Sequence, residues 1–310
     1  MLAAARIPAR LNTVVAAALL AAAGAALFAL PFVALPMGWK VAALAAVAAT
    51  TPAHWALVHE AIHGVLLPGR RANVMLGRAL AIAFGVPFRA ARFAHLRHHR
   101  YNRSPVAREE VYDPAHESHV SAYAFHYFRI AFGLYAGELA LCVLCFLPRP
   151  ILRRALARLC PDLPDGSRGM MPVADRELLG TAALAEVRID ALCIAATLAF
   201  AFVAYGSDWM LPALLLCGRG FVISQLDHAP HHGTPLAPRD YALNLRAPAW
   251  AQAMLLNFNL HRTHHVHPHL PWTALRELRD DRQEDVSLAA AVLRQWRGPV
   301  RIDRLPADRN

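Results

Sequence analysis

Charges are missing from the first sixty residues over stretches long enough to cross a bilayer. From Leu11 to Trp39 no residue is charged, Arg6 and Arg10 stand just before the run, and Val41 to Val58 is again uncharged. A helix needs about 20 apolar residues to span, so the pattern predicts one crossing, a tight turn at Pro36, Gly38 and Lys40, and a second crossing that brings His59 back to the starting side. The first run is also longer than the apolar region of about 7–15 residues in a cleavable leader, so cleavage is not expected. Two further runs, Ala191–Tyr205 and Trp209–Leu226, are joined only by Gly206, Ser207 and Asp208 and predict a second hairpin. Phe125–Leu147 is long enough to span but carries Arg129 and Glu138. It is expected to lie in the interface as an amphipathic segment.

Composition sharpens this. Hydrophobic residues make up 56% of the 310 positions and charged residues only 17%, against about 25% charged for soluble domains. The formal charge is 32 − 22 = +10, and Lys40 is the only lysine. Arginines crowd the segment from Gly64 to Ala124, whereas the Pro36–Lys40 turn has one positive charge; the positive-inside rule then puts both termini and that segment in the cytoplasm. The fold class expected is an all-α integral membrane protein with two transmembrane helical hairpins (four spans), an interfacial helix and a cytoplasmic histidine-rich cap, in the inner (cytoplasmic) membrane. Residues 1–275 would form the membrane domain and 276–310 an Arg-rich cytoplasmic tail. Such runs fit nucleic-acid binding poorly. The five cysteines have no framework spacing, so they are read as unpaired.

The 17 histidines are the anomaly. His59-Glu60-Ala61-Ile62-His63 places two imidazoles at i and i+4, which share one face of a helix. His95-Leu96-Arg97-His98-His99 and His261-Arg262-Thr263-His264-His265 each place three at i, i+3 and i+4. A further group, Asp227-His228-Ala229-Pro230-His231-His232, follows the last apolar run. Eight or more imidazoles exceed the four ligands of a tetrahedral zinc, so two metals are implied. Imidazole suits iron, copper, nickel and zinc alike. The first cluster also matches the His-Glu-x-x-His pattern of zinc proteases, which would leave both triplets unexplained.

These three ordered clusters resemble the histidine boxes of the membrane-bound fatty acid desaturase and hydroxylase superfamily, and the resemblance runs from the first helix to about Trp272. It implies a non-haem di-iron centre, two Fe per chain with O2 as co-substrate, held by His59, His63, His95, His98, His99, His231, His261, His264 and His265. In the family an asparagine stands four residues before the histidine that follows the fourth helix; here Asp227 takes that place before His231, with His228 and His232 as alternative ligands. Glu60 is a candidate hydrogen-bond partner for an imidazole, or a cap on a solvated edge. His267 and His269 are read as surface or supporting residues, and Arg219, within an apolar run, as snorkelling to the cytoplasmic face.

The activity implied is desaturation of a membrane lipid acyl chain. Carotenoid ketolation or hydroxylation is the alternative within the superfamily. A His-rich metal transporter is the remote one, since it needs ligands inside the membrane and only His54 lies well within a helix. The chain has no Gly-x-Gly-x-x-Gly fingerprint, no cysteine cluster for an iron–sulfur centre, and no His-Pro-Gly-Gly motif of a fused cytochrome b5-like module. A separate electron donor, a ferredoxin or a cytochrome b5-like protein with its reductase, is therefore the expected partner besides lipid.

Overall fold

The structure, a computed structural model, describes residues 5–163, 168–236, 241–279 and 286–305. Helix α1 (Ala9–Gly24) continues through a π turn and a 3-10 turn to Phe32, forming one apolar run. The chain returns through α2 (Met37–Ala49) and α3 (Thr51–His63), which together make a second. Pro52 removes the N–H that would bond the Ala48 carbonyl. The Thr51 hydroxyl donates to that carbonyl instead, at 2.5 Å, and the run survives the break. Gly64, at φ +80°, ends α3, and the Val65 amide reaches back to Glu60 O. This closure ends α3 directly after His63.

Helices α4 (Arg70–Phe84) and α5 (Phe88–Tyr101) meet at 95°. The bend sits at Gly85-Val86-Pro87, with Gly85 at φ +107°. α4 lies close on α3 because Gly77 has no side chain: a Cβ there would stand 2.3 Å from that of Ala61. α5 then crosses the end of α3 and carries the second histidine box to the first. Trp55, Leu57, Leu66, Leu80, Phe84 and Ile223 fill the core beneath this crossing.

After α6 (His119–Phe128), a π turn and α7 (Leu134–Leu144), two short helices, α8 (Arg149–Leu159) and α9 (Met171–Glu177), lead to α10 (Thr181–Tyr205) and α11 (Met210–His228). α10 begins ten residues before the apolar run that predicts it. Its opening turns carry Glu186, Arg188 and Asp190, and Asp190 is buried against Arg78 and the Phe88 amide. Charge satisfied by tertiary partners hides a helix start from hydropathy. The two hairpin turns share one end of the bundle, where Lys40 pairs with Asp208 at 3.4 Å.

Five helical runs among the described residues are long and apolar enough to cross a membrane, one more than the four spans expected: Ala9–Phe32, Met37–His63, His119–Leu144, Thr181–Asp208 and Met210–His228. The protein is thus a mostly helical integral membrane protein, and the added run covers most of the segment expected in the interface. Arg219 does not snorkel. It is 3% exposed and donates to the Ala83 carbonyl at 2.8 Å, capping the end of α4 from inside the protein.

Beyond α11 the chain folds over the histidine end through α12 (Ala249–Met254), α13 (His261–Val266) and α14 (Leu288–Gln295). Four two-residue strands, β1 (Val111–Tyr112), β2 (Leu245–Arg246), β3 (Val286–Ser287) and β4 (Val300–Arg301), pair in parallel as β1 with β4 and β2 with β3. The Arg-rich stretch from 276 onward therefore packs onto the body over residues 286–305. Gln295 donates to the Gln225 side chain at 2.6 Å, fastening α14 to α11.

Candidate metal centre

The nine histidines of the three boxes and His231 converge at this end of the bundle and divide into two groups. One ring nitrogen each from His59, His63, His95, His99 and His264 lies within 4.8 Å of the others; His98, His231, His261 and His265 form a second such group. We call these sites A and B. The division follows from helical geometry. On α5 the i and i+4 residues, His95 and His99, face A while His98 at i+3 faces B. On α13 the order is reversed: His261 and His265 face B, and His264 faces A. Successive residues turn by about 100° on a helix, so an i, i+3, i+4 triplet straddles two neighbouring sites, and two such triplets facing each other build both.

The nitrogens approach closely. His63 and His99 each bring Nε2 to His95 Nε2, at 2.8 and 2.9 Å, and His99 meets His264 at 3.1 Å. In B the pairs are His98–His265 at 3.2 Å, His231–His261 at 3.0 Å and His261–His265 at 3.2 Å. A neutral imidazole has one donor and one acceptor, so such a ring of mutual Nε2 contacts cannot be satisfied by hydrogen bonds alone, and His59 Nε2 is buried with no partner. Burial also disfavours protonation. It pulls His231, His264 and His265 well below the ordinary imidazole range and His261 down to about 3. Neutral, convergent, largely buried imidazoles with a partnerless nitrogen fit metal ions, one in each group.

The other candidates separate from these nine. Glu60 accepts the Trp272 backbone N–H at 3.1 Å and so ties the first box to the chain just after the third. The Trp272 indole in turn donates to Asn12 at 3.0 Å. Asp227 sits within charge reach of His98, beside B, yet outside the convergent group. His228 and His232, the alternative ligands, do not join A or B; they gather with His126 in a third group. The cause is the turn after α11: His231 faces one side of it, His228 and His232 the other. Sequence patterns miss His126 because it stands alone in an apolar stretch, where only the fold supplies its neighbours. His267 and His269 contact each other and belong to none of the three groups. His54 is spent within the bundle, its ring N–H donating to Leu80 O at 2.9 Å.

Comparison with curated proteins finds no match. The sequence model of one family, described as fatty acid desaturase, matches residues 37–296. That interval holds every histidine of A and B together with four of the five candidate spans. The chain therefore belongs to the fatty acid desaturase family, and is an integral membrane oxidoreductase of the desaturase and hydroxylase superfamily.

Proposed function

We propose that the protein is an O2-dependent desaturase of membrane lipid acyl chains, with one iron held at A by His59, His63, His95, His99 and His264 and a second at B by His98, His231, His261 and His265. The observation that carries this reading is the five-and-four division of buried and half-buried imidazoles between adjacent sites. Iron at the two sites would supply the oxygen activation needed to remove two hydrogens from adjacent carbons of an unactivated chain, chemistry that no side chain provides. The protein's own part is placement. The buried ends of α3, α5 and α13 fix the ring orientations, the core beneath them keeps water out, and the depressed basicity of the rings keeps them available as neutral donors.

The orientation proposed has both termini and all nine histidines on the cytoplasmic side, with α6–α7 lying in the interface. What supports this is that both ends of α6–α7 touch the same end of the bundle. His126 meets His228 at the end of α11. Cys145 packs on Val187 and Ala191, about 27 and about 21 Å from Tyr205 at 1.5 Å per residue along α10. A full crossing would also put His98 and His231 on opposite faces, although both belong to B.

Electrons are proposed to come from a separate ferredoxin or cytochrome b5-like carrier. The test is lipid and pigment analysis of cells with and without the gene. A new acyl double bond is expected; a new keto or hydroxyl group on a carotenoid would replace the substrate, and unchanged lipids and pigments with altered metal uptake would replace the enzyme reading by transport. Reconstituted enzyme with lipid, O2 and reduced nicotinamide should turn over only after reductase and carrier are added.

A further inference from the structure

His126 on α6, His228 at the end of α11 and His232 just beyond it are all buried, with relative exposures of 0%, 5% and 3%. One ring nitrogen of each lies within 4.8 Å of the others, and the ring centroids are 5.2 to 5.7 Å apart. The hydrogen bonds are arranged for a ligand. His126 Nε2 donates to the Gln295 carbonyl at 2.8 Å and His232 Nε2 to the Gly298 carbonyl at 3.0 Å. Each of these bonds fixes a tautomer in which Nδ1 keeps its lone pair, as metal-bound histidines require. Those two Nδ1 atoms, and His228 Nε2, are buried without any partner. Two orphaned buried acceptors and a third partnerless ring nitrogen in one place carry a desolvation cost of about 1–3 kcal/mol each unless something fills the space between them.

We propose that His126, His228 and His232 form a third metal site, separate from A and B, that holds one zinc ion and fastens the C-terminal segment to the end of α11. Three imidazoles with one position left for water is a tetrahedral zinc set. No thiolate or carboxylate belongs to the group among the described residues. Of the arginines that face the group, Arg103 is paired with Glu110 at 2.6 Å and Arg129 with Glu109 at 3.8 Å, while Arg294 donates to the His232 backbone carbonyl, and its charge is the one a bound cation would have to overcome. Through the carbonyls of Gln295 and Gly298 the ion would lock α14 and the turn after it onto α6 and α11. His231, a B histidine, lies between His228 and His232 in sequence, so the same ion would steady the turn that presents it.

The experiment is metal counting on the full chain, purified in detergent, loaded anaerobically with ferrous iron and then given stoichiometric zinc. About one zinc per chain is expected beside the iron in the wild type. His126→Ala and His228→Ala should each lose at least nine-tenths of that zinc. A His99→Ala/His265→Ala double variant, which impairs A and B, should lose iron and keep the zinc; this separates failure of the third site from failure of the di-iron reading. Should the alanine variants not accumulate, His228→Gln, which keeps a polar side chain there, replaces them. A wild type that binds no zinc beyond its iron, or zinc retained in full by both His126 and His228 variants, overturns the proposal.

Discussion

Sites A and B are built by the same device from two different hairpins. A takes a pair at i and i+4 from the end of the first hairpin, His59 and His63 on α3. The corresponding pair at the end of the second hairpin is Asp227 and His231, just where α11 stops. α5 gives two histidines to A and one to B, and α13 gives one to A and two to B. The whole difference between five and four therefore lies at one position, where A has an imidazole and a carboxylate stands beside B, outside its convergent group. A carboxylate is charged, shorter and harder than imidazole, so B is the half whose electrostatics and hydration the protein can set independently.

If both halves are needed, the largest effects come from the rings of α3, α5 and α13 that make up A and B. Changing any one of His63, His98, His99, His264 or His265 to Ala should abolish turnover, beyond the roughly 10–100-fold loss typical of outer partners, while membrane insertion persists. Product analysis by gas chromatography together with metal counting reads both. Activity surviving in two or more of these variants breaks the assignment of A and B.

Next in size is the position where the halves differ. Asp227→Ala is expected to weaken metal retention at B by about 10–100-fold and leave A filled, so iron per chain falls by half on chelator challenge; Asp227→Asn should fall between it and the wild type. Equal loss from both sites would show that they are not separable in this way.

The packing glycines make a milder contrast. Gly77 seats α4 against Ala61 in the first box, where an added Cβ meets backbone-anchored carbon at 2.3 Å; Gly220 on α11 faces the edge of the Phe132 ring at 2.9 Å. A ring can turn, whereas a Cβ cannot move without its helix. Gly77→Ala should therefore cost about 1–3 kcal/mol and Gly220→Ala less, a ranking that thermal unfolding in detergent can check. An equal cost would mean that α11 is as rigidly seated on α6–α7 as α4 is on α3.

Both histidine triplets are legible in the sequence, since i, i+3 and i+4 positions are local consequences of one helix. Hydropathy likewise exposes both hairpins. Contacts between distant segments are not legible. The charges that open α10 keep its first ten residues out of the apolar run because their partners, Arg78 and Arg89, are about a hundred residues away in sequence. Arg219 reads as snorkelling because nothing near it in sequence discloses the unsatisfied carbonyls at the end of α4. His126 falls outside every motif for the same reason, and without it His228 and His232 have no other destination than the main centre.

The smallest expected effect tests what holds the halves together. At the end far from the histidines only Lys40 and Asp208 join the two hairpin turns by charge among the described residues, at 3.4 Å, with side chains 13% and 31% exposed. A partly exposed single pair is worth about 0.2–1 kcal/mol. At the other end the halves share α5 and α13, six of whose side chains are divided between A and B. If this shared end sets the relative position of the hairpins, Lys40→Met should lower the melting temperature only slightly and leave the metal content of both sites and turnover unchanged. A loss of iron from either site in that variant would mean that the far turns, and not the crossed pair of helices, set the spacing of the centre.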